Sequence, residues 1–146
     1  MMINKKAKYE YHILEKWEAG IVLRGSEVKS IREGRASFTD SFARARKGEI
    51  FLYNLHISPY EADSSPSYDP KRERKLLLHK KQIKSLVGTL SQKGLTLIPL
   101  RIYFKNGKAK VELGLARRKR LYDKREKIKE RIVQREIRRV LKERRF

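Results

Sequence analysis

The chain has 146 residues, with 38 Lys or Arg against 17 Asp or Glu, a formal net charge of +21 and no cysteine. The missing cysteine excludes disulfides and thiolate metal sites, and the longest near-apolar run, from Leu95 to Leu100, is far too short to cross a bilayer. So basic a chain calls for a polyanionic partner, nucleic acid first, with an anionic membrane surface as the competing class.

Tyr9, Tyr11 and Ile13 alternate with Glu10 and His12, a period of two that predicts a half-buried strand. Trp17-Glu18-Ala19-Gly20 reads as a turn, and Ile21-Val22-Leu23 restarts extended chain. Val28 and Ile31, three apart and followed by Gly34, predict a short helix over 26–32. Residues 42–46 and 50–57 about Lys47-Gly48 predict a hairpin. Residues 58–69, with Pro59 and Pro66, read as a surface loop, after which Pro70 suits the first turn of a helix. Ile83, Leu86, Val87 and Leu90 mark one helical face before Gly94. Residues 95–104 and 108–115 flank Asn106-Gly107, the strongest short hairpin signal, while Pro99 in the first arm predicts an edge, a bulge or a break. Five or six short strands with two or three helices predict a mainly β fold. The most economical form is an OB-fold-like closed antiparallel barrel, because closure removes exposed edges.

Two regions follow from the charge. Residues 1–116 form the expected barrel body, with 23 basic and 12 acidic residues, and 117–146 form a basic tail with fifteen Lys or Arg against five Asp or Glu. Asp123 followed by Glu126 resembles a capping box, so a helix can start there. Ile128, Ile132, Val133, Ile137, Val140 and Leu141 make only a thin apolar stripe. The tail is therefore expected to be disordered or weakly helical alone and to order on a partner.

No catalytic constellation stands out. His12, His56 and His79 share no catalytic or metal-ligand spacing, the glycines form no phosphate loop, and the acidic residues of the body are scattered. We expect no enzyme, no cofactor and no metal. RNA binding has better support, because Tyr9, Tyr11, Trp17, Tyr103 and Phe104 lie close in sequence to Lys8, Lys16, Arg101 and Lys105. Basic grooves with aromatic or apolar surfaces hold unstacked bases. The start, Met1 to Lys6, lacks the apolar stretch of a secretory signal, and the expected location is the cytoplasm.

Longer strings are more specific. Asn4-Lys-Lys-Ala-Lys8, Glu18-Ala-Gly-Ile-Val22, Gly25-Ser-Glu-Val-Lys-Ser-Ile-Arg32, Asp40-Ser41 and His56-Ile-Ser-Pro-Tyr60 occur in that order. Asp69-Pro-Lys-Arg72, Arg74-Lys-Leu-Leu-Leu-His79, Tyr103-Phe-Lys-Asn-Gly107, Lys110-Val-Glu-Leu-Gly-Leu-Ala116 and Asp123-Lys-Arg125 complete the series. Together they resemble the SmpB (SsrA-binding, small protein B) family of bacterial trans-translation, from about Asn4 through the tail.

The resemblance implies an OB-like barrel that binds the tRNA-like domain of transfer-messenger RNA and brings it to stalled ribosomes. It also implies action with aminoacylated transfer-messenger RNA and elongation factor Tu, as a monomer off the ribosome. The tail would enter the vacant mRNA path, beside small-subunit RNA near the decoding centre. Carried over position by position, the tRNA-like domain would be held by Glu18, Leu77 and Lys110, with Asn4 a further candidate. Lys110 would neutralise phosphate and Leu77 would pack on a base or sugar. Glu18 would either accept hydrogen bonds from amino groups or 2′-hydroxyls, or orient a neighbouring cation. In the tail, Lys119, Arg120, Asp123, Lys124 and Arg125 match the part of the motif used after docking. Two positions depart from the family pattern: Arg118 stands where Gly is common, and Ile132 where an acidic residue is frequent.

Overall fold

The computed structural model describes residues 1–60, 67–92, 94–119, 131, 132, 135 and 137–139. In chain order the elements are β1 (Met2–Ile3), α1 (Ala7–Glu10), β2 (Tyr11–Ile21), α2 (Gly25–Arg32), β3 (Ala36–Ser37) and β4 (Phe42–Arg46). They continue with β5 (Glu49–Tyr53), β6 (His56–Ile57), β7 (Arg74–Leu77), α3 (Lys80–Leu90), β8 (Leu95–Lys105) and β9 (Lys108–Arg118). The main sheet has the order β1-β8-β4-β5-β7-β2-β9, and β8 also pairs with β9. The strands from β8 round to β9 therefore close on themselves, every pairing antiparallel, with β1 added along β8. The mainly β, OB-like barrel expected from the sequence is the fold observed.

Its centre is filled from every wall. Ala19 of β2, Ile50 and Leu52 of β5, Leu76 of β7, Leu97 and Ile102 of β8, and Val111 and Leu113 of β9 are all buried in one cluster. Each large side chain so buried contributes about 1.5–3 kcal/mol. Leu86 of α3 and Ile31 of α2 plug the same core, as their helical spacing predicts. Val87, one residue on, is 41% exposed, so the expected apolar face of α3 is narrower than its sequence.

The hairpin about Asn106-Gly107 forms as read. Asn106 and Gly107 have φ of +53° and +73°, the left-handed pair that matches the twist of the flanking strands. Pro99 marks a bulge, with the β8–β9 register shifting between Pro99 and Arg101.

Four readings are corrected. Trp17-Glu18-Ala19-Gly20 is not a turn; β2 runs through it, because residues 11 to 20 pair with 118 to 110 of β9, and a bulge after Ile13 absorbs the curvature. Tyr9 lies in a single helical turn rather than a strand, since pairing begins only at Tyr11 opposite Arg118. The second hairpin arm stops at Tyr53, where Asn54 at φ +61° turns the chain and sends His56–Ile57 to pair with Ala36–Ser37. Pro70 opens no helix; its carbonyl accepts from the Ile57 amide and from Arg74 Nη2, each at 3.0 Å.

A buried ionic network fixes α2 to this region. Arg74 and Glu27 are 0% and 1% exposed, and Arg74 Nε and Nη2 donate to Glu27 Oε2 at 2.8 and 2.6 Å. Arg74 Nη1 donates to the Leu55 carbonyl, Arg72 Nη2 to Glu27 Oε1, and the Arg24 amide to Glu27 Oε1 at 2.8 Å. Burial pushes the Glu27 carboxyl up, but the bonds from Arg72, Arg24 and Arg74 prevail and hold it below the usual carboxylate range.

β9 continues to Arg118, opposite Tyr11, and the Lys119 amide donates to the Glu10 carbonyl at 2.8 Å. Paired backbone thus runs past residue 116. In the tail, the described residues 131, 132, 135 and 137–139 are helical, and Ile132 and Ile137 of the thin stripe are 50% and 54% exposed.

Candidate nucleic-acid interface

Strand alternation decides which side chains leave the core. Ala19, Ile102, Val111 and Leu113 face inward, so Glu18 and Gly20 of β2, Arg101 and Tyr103 of β8, and Lys110 and Glu112 of β9 stand on the outer face. The register aligns them in rows: Glu18, Glu112 and Arg101 in one, Gly20, Lys110 and Tyr103 in the next.

Glu18 and Glu112 are opposed, an arrangement that repels unless each carboxylate has its own cations or donors. Both do. The Tyr103 hydroxyl donates to Glu18 Oε2, and Lys105 Nζ lies 3.7 Å from Glu18 Oε1. Arg101 donates to Glu112 through Nε at 3.1 Å and approaches it through Nη2 at 3.0 Å, with Lys16 Nζ at 4.0 Å. Arg101 also lies over the Tyr103 ring, 4.7 Å from its centroid. The Tyr103 hydrogen bond is the main reason that the Glu18 carboxyl sits below its usual range; desolvation opposes it, and Lys105 and Lys110 reinforce it. Desolvation, and then the bond to Glu18, push the Tyr103 phenol up to about 12. The result is an ionised acceptor held in one orientation on a cationic face.

Leu77 of β7 lies opposite Gly20 and is 53% exposed. Together with Gly20 and Lys110 it lines a hollow of about 360 Å³. An exposed leucine beside an ammonium group offers apolar contact and phosphate neutralisation within one small area. The barrel thus gathers Glu18, Leu77 and Lys110, which are far apart in sequence, onto adjoining strands.

The structure places the other sequence candidates elsewhere. Asn4 lies at the Pro99 bulge, its side-chain amide donating to the Pro99 carbonyl at 2.8 Å. Lys119 is 6% exposed, and its Nζ donates to the Lys8 carbonyl at 2.8 Å, so it belongs to the foot of the barrel. Arg120, Asp123, Lys124 and Arg125 lie outside the described residues, as does part of the expected loop, 61–66. Among the aromatics, Trp17 and Phe104 pack against the main core, Tyr11 packs against a smaller cluster, and Tyr9 is 40% exposed. His12, His56 and His79 sit on β2, on β6 and at the start of α3. Among the described residues no group of three or more metal-ligating side chains occurs, and no helix is long and apolar enough to cross a membrane.

Sequence reasoning noted Tyr103, Arg101 and Lys105 only as basic residues beside aromatics. It missed that Tyr103 clamps Glu18. The Asn106-Gly107 turn holds the signal, because a two-residue loop fixes the register and sets Tyr103 opposite Lys110.

Fold and face together define a small antiparallel β-barrel protein with a cation-rich outer face. The SmpB protein family model matches residues 1–143, and the chain belongs to that family. An SsrA-binding protein of Pelotomaculum thermopropionicum is 57% identical over 97% of this chain and 92% of its own length. One of Syntrophobacter fumaroxidans is 60% identical over 97% of this chain and 88% of its own. A solved chain described under "tmRNA-SmpB: a journey to the center of the bacterial ribosome" superposes with a TM-score of 0.70 at 55% identity. That match covers 82% of this chain and 85% of the other.

Proposed function

We propose that this protein is a non-enzymatic RNA-binding adaptor of trans-translation. It binds the tRNA-like domain of transfer-messenger RNA and brings it to stalled ribosomes. The observation that carries the reading is the convergence of Glu18, Leu77 and Lys110 on one outer face, in a chain of the SmpB family. Lys110 neutralises a phosphate, Leu77 packs on a base or sugar, and Glu18 accepts from amino groups or 2′-hydroxyls while Tyr103 and Lys105 hold it. In the same reading the protein works in the cytoplasm as a monomer until it meets the ribosome. It acts there with aminoacylated transfer-messenger RNA and elongation factor Tu. The tail follows the empty mRNA path along small-subunit RNA, with Asp123 capping a helix that presents Lys124 and Arg125 to phosphates. Arg120 adds a further cation, and Lys119 fixes the root from which the tail departs. The functional division between body and tail then falls after Lys119, a little beyond the expected boundary at 116.

The test compares binding of a tRNA-like RNA with and without its D-loop/T-loop elbow over a range of salt. Shape-specific recognition predicts that elbow removal weakens binding at every salt concentration, beyond the general electrostatic loss. Equal affinity for any RNA of similar length contradicts the reading. Truncation after Lys119 is expected to keep most of this binding and to abolish tagging of stalled peptides; full tagging by the truncated chain refutes the role given to the tail.

A further inference from the structure

Beside the face just described lies an open concavity of about 840 Å³. One wall is the N-terminal strap. Met2 and Ile3 pair with Ile102 and Arg101, the Asn4 amide donates to the Leu100 carbonyl at 2.8 Å, and the Asn4 side chain reaches Pro99. The floor is formed by Leu100, Tyr11 and Ile13, which belong to a small apolar cluster with the buried Ala7, Ile98 and Ala116 beneath. Gly114 permits that floor: a Cβ there would stand 2.9 Å from Leu100 Cδ1 and 3.2 Å from Ile13 Cγ2. The concavity is therefore held by sheet pairing and packing.

Its charge is lopsided. Lys5, Lys8, Lys16, Arg101 and Lys119 line it against the single carboxylate of Glu112, which Arg101 and Lys16 already share. Gathering like charges in one hollow is unfavourable in the free protein and becomes favourable when an anion enters, and a concave surface focuses that field. The shape indicates which anion. The hollow is continuous with the outer face, since Arg101 and Glu112 belong to the row that ends at Glu18. An extended chain of phosphates fits such a strip along its length.

We infer that the concavity between the N-terminal strap and β2, β8 and β9 is a phosphodiester-binding subsite that takes a second backbone segment of the same RNA. Lys5, Lys8 and Lys16 supply the neutralising charge, and Asn4 holds the wall that carries Lys5. This rests on the RNA-binding reading above and extends it by a second site on the protein.

The experiment uses the full chain and the tRNA-like RNA, measuring log K against log salt for the wild type, a Lys5→Ala/Lys8→Ala/Lys16→Ala triple variant and Lys110→Ala. The three lysines are exposed, and thermal melts confirm that each variant is folded. Every phosphate left without its cation takes about 0.7–0.9 off the slope, so the triple variant is expected to flatten it by about 2 and Lys110→Ala by about 1. A triple variant whose line stays parallel to the wild type, while Lys110→Ala flattens, overturns the subsite and leaves the primary interface standing. Unchanged slopes in both overturn the subsite and the interface together.

Discussion

Two glutamates, Glu18 and Glu27, each meet a tyrosine hydroxyl and cationic partners, and each carboxyl is held below its usual range. Their surroundings give them opposite uses. Glu27 is 1% exposed, and donors from the residue preceding α2, from β7 and from the chain before β7 converge on it. Its charge is consumed inside the fold. Glu18 stands on the outer face of β2 with a side chain 42% exposed, and Tyr103 occupies one oxygen while the other faces Lys105. The same chemistry locks an architecture when buried, and on a strand face it leaves an oriented, exposed acceptor.

The contrast breaks most visibly in stability. Glu27→Ala leaves Arg74 buried without its carboxylate and is expected to cost about 3–5 kcal/mol, read as a lowered urea midpoint. Glu18→Gln is expected to leave that midpoint unchanged and to weaken binding of the tRNA-like RNA roughly tenfold, the scale of a lost charged hydrogen bond. A large stability loss in Glu18→Gln, or none in Glu27→Ala, erases the distinction.

Acid titration sharpens it further. A carboxyl depressed in the folded state contributes stability that is complete above its usual value of 4.5 and is lost as pH falls through the lower folded value. Glu27→Gln should therefore flatten the stability profile below pH 4.5. For Glu18 the same sign applies to RNA binding. Tyr103→Phe removes the largest influence lowering its pKa, so the acid loss of affinity should begin at higher pH than in the wild type, with only a slight affinity change near neutrality. Identical pH profiles for Tyr103→Phe and wild type argue against the clamp.

The smallest effect belongs to an exposed ion pair between β5 and β7. There Lys75 pairs with Glu49 at 2.9 Å, both well exposed. Lys75→Ala should leave the melting temperature in a thermal melt measurably unchanged, as is usual for exposed ion pairs.

How much of this was legible in the sequence varied with the range of the signal. The Asn106-Gly107 hairpin, the Pro99 bulge and the helix over Val28 and Ile31 rest on local rules, and the chain obeys them. The turn read at Trp17–Gly20 failed because nonlocal pairing with β9 outweighed the small residues Ala19 and Gly20. The role of Arg74 was hidden for the same reason: a lone arginine in a basic chain looks solvent-exposed until Glu27 and the Leu55 carbonyl arrive from other elements. Glu18, Leu77 and Lys110 were reached through family resemblance. Their adjacency is a property of barrel closure, which no local pattern encodes.

The most direct test is lysine-modification footprinting of the full chain with and without the tRNA-like RNA. Lys105 and Lys110, on the Glu18 face, are expected to lose reactivity when the RNA binds, while Lys47, in the β4–β5 turn, keeps its own. Protection of Lys47 with Lys105 and Lys110 unchanged would place the RNA at the β4–β5 turn and contradict the account.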